Sequence, residues 1–70
     1  MKKVVSPMPG KVVKINVSQG DCVKNDQEVI IIESMKMEIP VCSQNSGKVM
    51  EINVSEGDAV PQGTVLLAIE

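Results

Sequence analysis

The chain has no phenylalanine, tyrosine, tryptophan or histidine among its 70 residues. Without aromatic rings it lacks the stacking platforms of proteins that bind single-stranded nucleic acids. Its net charge of -2, with no run of basic residues, argues against a phosphate-binding surface. The missing histidine removes the commonest general base at neutral pH. We therefore expect no nucleic-acid partner and no catalysis by the chain alone.

Cysteine and long apolar segments are also scarce. Cys22 and Cys42 are the only cysteines, and no CxxC spacing occurs, so the sequence predicts two free thiols in or near the core and no metal site. No long apolar run follows Lys2 and Lys3, so neither a secretory signal nor a membrane span is indicated. A cytoplasmic location is the default expectation.

Small β-branched side chains dominate the composition, with twelve valines and seven isoleucines. Such residues favour strands, and a chain of this length has room for one core only. We therefore predict a single all-β domain that spans residues 1–70.

The sequence contains an internal repeat. Gly10–Glu33 aligns without gaps with Gly47–Glu70, and twelve of the twenty-four aligned pairs are identical. A solenoid needs about three or more repeats for stability, so we expect the two copies to complete one core with pseudo-two-fold symmetry. In this alignment Glu33 corresponds to Glu70. If the symmetry axis crosses the long direction of the molecule, the segment after Glu33 and the C-terminus lie at opposite ends.

Alternation of apolar and polar residues predicts half-buried strands in both copies. Val13, Ile15 and Val17 are expected on one face, and Met50, Ile52 and Val54 repeat the pattern. The run Val29–Ile32 is continuous, but its length and β-branching favour a strand over a helix. The predicted strands are Val4–Ser6, Val13–Val17, a short strand at Val23, Glu28–Glu33, Met37–Val41, Met50–Val54, a short strand at Val60, and Thr64–Glu70. These about eight strands predict a flattened barrel or two-sheet sandwich, and Pro7 and Pro9 are expected to end the first strand.

One predicted reversal differs in composition from the others. Most turns contain glycine, as in Gln19-Gly20-Asp21 and Glu56-Gly57-Asp58, whereas the reversal after Glu33 contains only Ser34, Met35 and Lys36. A favoured two-residue hairpin needs positive φ at both central residues, which costs Met or Lys about 1–2 kcal/mol each. A local misfit of this kind indicates a functional site.

The side chains of this reversal suggest attachment of a group to the lysine. An exposed lysine is ordinarily only a solvated surface residue, but Lys36 is flanked by Met35 and Met37, whose apolar side chains suit recognition by an enzyme or an apolar ring. Met37 is equally compatible with a place in the core beside Ile39, whereas Met35 has no such alternative. A lysine carries a cofactor through an amide bond if it is accessible and its backbone is fixed.

Three segments together resemble a known family. They are Ser6-Pro7-Met8-Pro9-Gly10, Glu33-Ser34-Met35-Lys36-Met37-Glu38, and the two Gly-Asp turns. Nearly the whole chain is similar to the biotinyl domains of biotin-dependent carboxylases, decarboxylases and transcarboxylases.

This resemblance implies two four-stranded antiparallel sheets, with Lys36 as the acceptor of covalent biotin at a hairpin tip. Glu33, Ser34, Met35, Met37 and Glu38 would form the recognition motif. The implied partners are a biotin protein ligase and the biotin carboxylase and carboxyltransferase or decarboxylase subunits. The isolated domain is expected to be a monomeric, non-catalytic carrier of a carboxyl group.

The sequence departs from the family pattern in ways that keep alternatives open. Ser34 stands where alanine is more common, and Lys11–Val23 is too short for the protruding thumb of some acetyl-CoA carboxylase carriers. Met37-Glu38-Ile39-Pro40 is also similar to lipoyl domains, although these usually have aspartate before the acceptor lysine. The alternatives are therefore a lipoyl carrier, a small protein that accepts either group, and an unmodified interaction domain.

Overall fold

The computed structural model describes residues 2–70, so that Met1, the first residue of the predicted domain, lies outside the description. These residues form strands and turns, with no helix, which confirms the predicted all-β class. The strands are β1 (Lys2–Val5), β2 (Gly10–Ile15), β3 (Cys22–Val23), β4 (Glu28–Ser34), β5 (Met37–Cys42), β6 (Gly47–Ile52), β7 (Ala59–Val60) and β8 (Val65–Ile69).

The strands pair into two four-stranded antiparallel sheets, as expected. One sheet has the order β1-β8-β6-β3 and the other β5-β4-β2-β7. Between the sheets lies a core of small aliphatic side chains, which includes Val12, Ile32, Val49 and Ile69, each fully buried. Each sheet contains the two long strands of one repeat and a short edge strand, β3 or β7, of the other. Both repeats supply side chains to the core between the sheets, so neither has a core of its own.

Hydrogen bonds between the copies confirm the internal symmetry. The N–H of Gly20 donates to the carbonyl of Val49 at 2.8 Å, and the N–H of Gly57 donates to the carbonyl of Val12 at 2.7 Å. Each Gly-Asp turn of one copy thus binds the first long strand of the other. Within the turns, the carboxylates of Asp21 and Asp58 accept equivalent bonds from backbone N–H groups at 2.8 and 2.9 Å.

Bulges at equivalent positions correct the predicted faces of β2 and β6. The register shifts between Val12 and Lys14, and again between Val49 and Glu51. An extra residue in a strand turns the following side chains to the other face. Val13 is therefore exposed and Val12 is buried, contrary to the expected inward face of Val13.

A further bulge explains the continuous apolar run of β4. The register shifts between Glu28 and Ile30, which leaves Val29 as the extra residue. Val29, Ile30 and Ile32 are all fully buried, while Ile31 is only partly buried. The interpretation of this run as a strand is confirmed.

Two smaller expectations have different outcomes. The first strand ends at Val5, before Pro7 and Pro9, as predicted. Cys22 and Cys42 are free thiols, but both are exposed, so the predicted place in or near the core is wrong. They follow the strand alternation, in which their neighbours Val23 and Val41 point inward. Within residues 2–70, no helix is long and apolar enough to cross a membrane.

Candidate functional site

The unusual reversal is a two-residue hairpin between β4 and β5. Ser34 pairs with Met37, which leaves Met35 and Lys36 as the two central residues. Their φ angles are +53° and +66°, as the sequence predicts for a hairpin of this length. Asp26, with φ of +69°, is the other non-glycine residue in this conformation within residues 2–70. Aspartate tolerates this region better than methionine or lysine does.

The methionines of the tip are solvent-exposed. Met35 is 91% exposed and Met37 is 63% exposed. This exposure excludes the alternative that Met37 packs in the core. Ile39 and Val41 fill that side of β5 without it. The tip presents two thioether side chains on either side of an exposed lysine.

Two carboxylates lie beside the tip on the outer face of the sheet. Glu33 and Glu38 pair directly across β4 and β5, and both are exposed. Like charges at directly opposite positions destabilise a sheet slightly, by a few tenths of a kcal/mol to about 1 kcal/mol. Lys11 pairs with Glu33 from the other side and offsets part of this repulsion. The predicted motif residues are thus brought together, with Ser34 half-buried beneath the turn.

The structure adds residues that the sequence did not single out. Lys11 joins the row of Glu33 and Glu38 only through the pairing of β2 with β4. Gly10 lies so close to β4 that a Cβ there would be 2.8 Å from the carbonyl oxygen of Glu33. Glycine at the same place in both repeats was the available signal, since Gly47 lies even closer to the backbone of Glu70.

Contacts between loops place Glu70 at the other end of β4 from the tip, in a molecule whose long dimension is 31 Å. The turn before β4 binds the loop before β6, since the N–H of Asn25 donates to Ser46 Oγ at 3.0 Å. Gly47 follows Ser46 and contacts the backbone of Glu70. Glu70 thus lies beside the start of β4, whereas Lys36 follows its end. This arrangement agrees with the expectation drawn from the repeat, and the separation across the whole molecule stays a prediction.

The tip projects from the sheet, and two grooves of the described surface lie away from it. One groove of about 180 Å³ is lined by residues that include Lys3, Val5 and Cys42. Another is lined by residues of the Gln19-Gly20 turn and of β6. A primary amine on an exposed hairpin tip suits covalent attachment of a group that works in the pocket of a partner. The long lysine stem and the fixed turn fit such a group.

Comparisons with known proteins agree with this geometry. The family model described as "Biotin-requiring enzyme", the biotin/lipoyl domain, matches residues 2–69. The biotin/lipoyl attachment protein of Bacillus subtilis is 48% identical over 62 residues, which cover 89% of this chain and 85% of that protein. The biotin-dependent acyl-coenzyme A carboxylase alpha3 subunit of Mycobacterium leprae is 42% identical over 96% of this chain. The chain spans 11% of that subunit.

A solved structure gives the same result for the fold. The urea carboxylase of Kluyveromyces lactis matches 99% of the chain with a TM-score of 0.92 and 36% sequence identity, over 6% of its own length. The chain belongs to the biotin/lipoyl attachment domain family. Domains of this family are carriers that are not themselves catalytic.

Proposed function

We propose that Lys36 is the attachment site of a covalently bound biotin, and that the domain carries a carboxyl group between the active sites of partner enzymes. The observation that carries this proposal is the hairpin tip. Met35 and Lys36 both adopt the left-handed conformation there, and the Met35 side chain is 91% exposed. A fold alone gains nothing from this arrangement, because glycine or asparagine fits the turn at lower cost.

The chemistry expected at Lys36 is formation of an amide bond. The ε-amine attacks the acyl carbon of an activated carboxylate that a biotin protein ligase supplies. The amine loses a proton, and the activating group leaves with the electrons of the broken acyl bond. Because the ligase supplies the activation, Lys36 needs only access and a fixed position. Its positive charge is removed by the reaction.

The residues around Lys36 would form the recognition motif. Glu33 and Glu38 present two carboxylates on one face, while Met35 and Met37 present apolar surface. Such a surface suits a partner with a cationic and an apolar contact area. The like-charge pair is unfavourable for the fold alone, which supports a role in recognition.

The position of the tip suits a carrier. Lys2 pairs with Ile69, so both ends of the described chain lie together. The contacts of Glu70 put them near the start of β4, whereas Lys36 follows its end. Neighbouring domains joined there would leave the tip free to reach other active sites. When bound, biotin would accept a carboxyl group at a biotin carboxylase site and release it at a carboxyltransferase or decarboxylase site. The monomeric state and the cytoplasmic location stay predictions.

Expression with a biotin ligase tests the proposal. We expect avidin labelling and the mass of one biotinyl group on the wild-type chain and on the Lys11→Arg variant, but not on Lys36→Arg. Lys11 is a matched control because it is exposed on the neighbouring strand. Circular dichroism should be the same for all three. Labelling that persists in Lys36→Arg would refute the assignment.

A lipoyl carrier is the second candidate, because one relative is described as a biotin/lipoyl attachment protein. Lipoyl domains usually have aspartate before the acceptor lysine, where this chain has Met35. We expect Met35→Asp to lose most biotinylation and to gain lipoylation when a lipoate ligase is present. Lipoylation of the wild-type chain in preference to biotinylation would favour the second candidate. If neither ligase changes the mass of the chain, the result would favour the third alternative, an unmodified interaction domain.

A further inference from the structure

We propose that Met35 is a site of reversible oxidation to methionine sulfoxide, and that oxidation there slows modification of Lys36. The second half of this inference rests on the proposed function. The first half concerns only the chemistry of an exposed thioether.

Exposure separates Met35 from the other methionines that the structure describes. Met35 is 91% exposed and Met37 is 63% exposed, whereas Met8 packs against the core and Met50 is half-buried. An oxidant in solution reaches an exposed sulfur without any opening of the fold. Among the four methionines that the structure describes, we therefore expect peroxide to oxidise Met35 first and Met37 second.

The turn holds the Met35 side chain away from the core. Ser34 pairs with Met37, and φ of Met35 is +53°, so the side chain leaves the sheet at its very end. The core below is filled by residues such as Ile32, which is fully buried. A sulfoxide at Met35 therefore disrupts no packing, and the fold should tolerate it.

The effect of oxidation should be confined to recognition. Oxidation converts a flexible apolar side chain into a polar, chiral one. An enzyme that covers this side chain when it reaches Lys36 would have to desolvate the new oxygen without an arranged donor. Biotin attachment would then be slow until the sulfoxide is reduced.

The reaction balances with a peroxide as oxidant. The thioether sulfur takes one oxygen atom from the peroxide, which leaves as water, and the sulfoxide forms. In the reverse reaction, a dithiol reductant becomes a disulfide, the oxygen leaves as water, and the thioether is restored. Oxidation by peroxide needs no enzyme, whereas reduction by a dithiol needs a methionine sulfoxide reductase.

Limiting hydrogen peroxide, followed by dithiothreitol, provides the test. Dithiothreitol reverses disulfides and sulfenic acids at Cys22 and Cys42, which are exposed, but leaves the sulfoxide in place. The double variant Cys22→Ser, Cys42→Ser is a second background without thiols. Cleavage after lysine separates Asn25–Lys36 from Met37–Lys48, so mass spectrometry assigns the added oxygen to Met35 or Met37.

We expect the first added oxygen at Met35 and a fall in the initial biotinylation rate of roughly tenfold, the order seen when a specificity contact is lost. Methionine sulfoxide reductase should restore the rate. In Met35→Leu, the rate should be the same before and after peroxide, whereas Met37→Leu should keep most of the sensitivity. Unchanged circular dichroism would show that the fold is intact.

Two outcomes would overturn the inference: oxygen on Met8 or Met50 before Met35, or equal labelling of oxidised and reduced wild-type protein. Both leave the proposed function standing, because the reduced chain is labelled in the same assay. A reduced chain that accepts neither biotin nor lipoate would overturn the proposed function and the predicted effect on labelling together.

Discussion

The two repeats, Gly10–Glu33 and Gly47–Glu70, have similar backbone conformations but lead to different surfaces. Their glycines lie against the backbone of Glu33 and Glu70 in the same way, and their Gly-Asp turns bind each other's strands. Only the first copy continues into the sequence Met35-Lys36. The scaffold is therefore present twice, whereas the reactive tip is present once.

A second comparison concerns the turns themselves. The repeat aligns Asp26, with φ of +69°, with Gly63, with φ of +86°. This turn therefore accepts either residue in the left-handed conformation. At the tip, Met35 and Lys36 occupy two such positions in succession. Conformational cost is concentrated where the candidate site lies.

The largest expected effect comes from moving the lysine within its turn. Exchange of Met35 and Lys36 keeps composition and turn length, but the amine would leave the hairpin in another direction. We expect biotinylation to fall by about a hundredfold or more, the order produced by a misplacement of about 1 Å in an active site. Avidin blotting and intact mass measure the change. Full labelling would mean that the ligase binds an unfolded peptide, and the geometric argument would fail.

Alanine at the two equivalent glycines should weaken the scaffold at opposite ends. In Gly47→Ala, the new Cβ would overlap the carbonyl oxygen of Glu70 and lie 2.6 Å from Cγ2 of Ile69. We expect a loss of about 1–3 kcal/mol in the free energy of unfolding. Gly10→Ala should also destabilise the fold, since its Cβ would be 2.8 Å from the carbonyl oxygen of Glu33. Urea denaturation measures both losses.

The same pair of variants separates scaffold from site. Gly10→Ala displaces the strand that leads to the tip, so its biotinylation should slow more than that of Gly47→Ala when both are compared in their folded state. Equal labelling of the two variants would show that the position of β4 at Glu33 does not affect the tip.

Glycine at the left-handed residues should relieve conformational cost. We expect Lys36→Gly to raise the free energy of unfolding by about 0.5–1 kcal/mol, because relief of strain is partly offset by the entropy of glycine in the unfolded chain. Labelling should be abolished, because the acceptor amine is removed. Asp26→Gly should raise it by less and leave labelling intact. Thermal denaturation and avidin blotting check both variants. A lower stability of Lys36→Gly would show that the lysine stem contributes packing.

The smallest expected change in stability is that of Met35→Leu. Because Met35 is 91% exposed, we expect its free energy of unfolding to change by less than about 0.5 kcal/mol. Turnover in a coupled carboxylation assay should fall severalfold if the thioether contributes to recognition. A large loss of stability with normal turnover would instead assign Met35 a structural role.

Much of this molecule was predictable from patterns of short range. The repeat, the β-branched composition and the turn residues predicted the all-β class and the paired halves. The demand of a two-residue hairpin for positive φ predicted the conformation of Met35 and Lys36. The exposure of Met37 was left open, because its place in an alternating strand is compatible with either face.

The sequence alone determined the strand-forming segments, the symmetry and the position of the lysine between two homologous copies, because these depend on local propensity and on comparison within the chain. Tertiary structure decided the faces of Val12 and Val13, the exposure of Cys22, and the row of Lys11, Glu33 and Glu38. Bulges and strand register set these features. Register depends on pairing between residues distant in sequence, and a shift of one residue reverses the face of every side chain that follows.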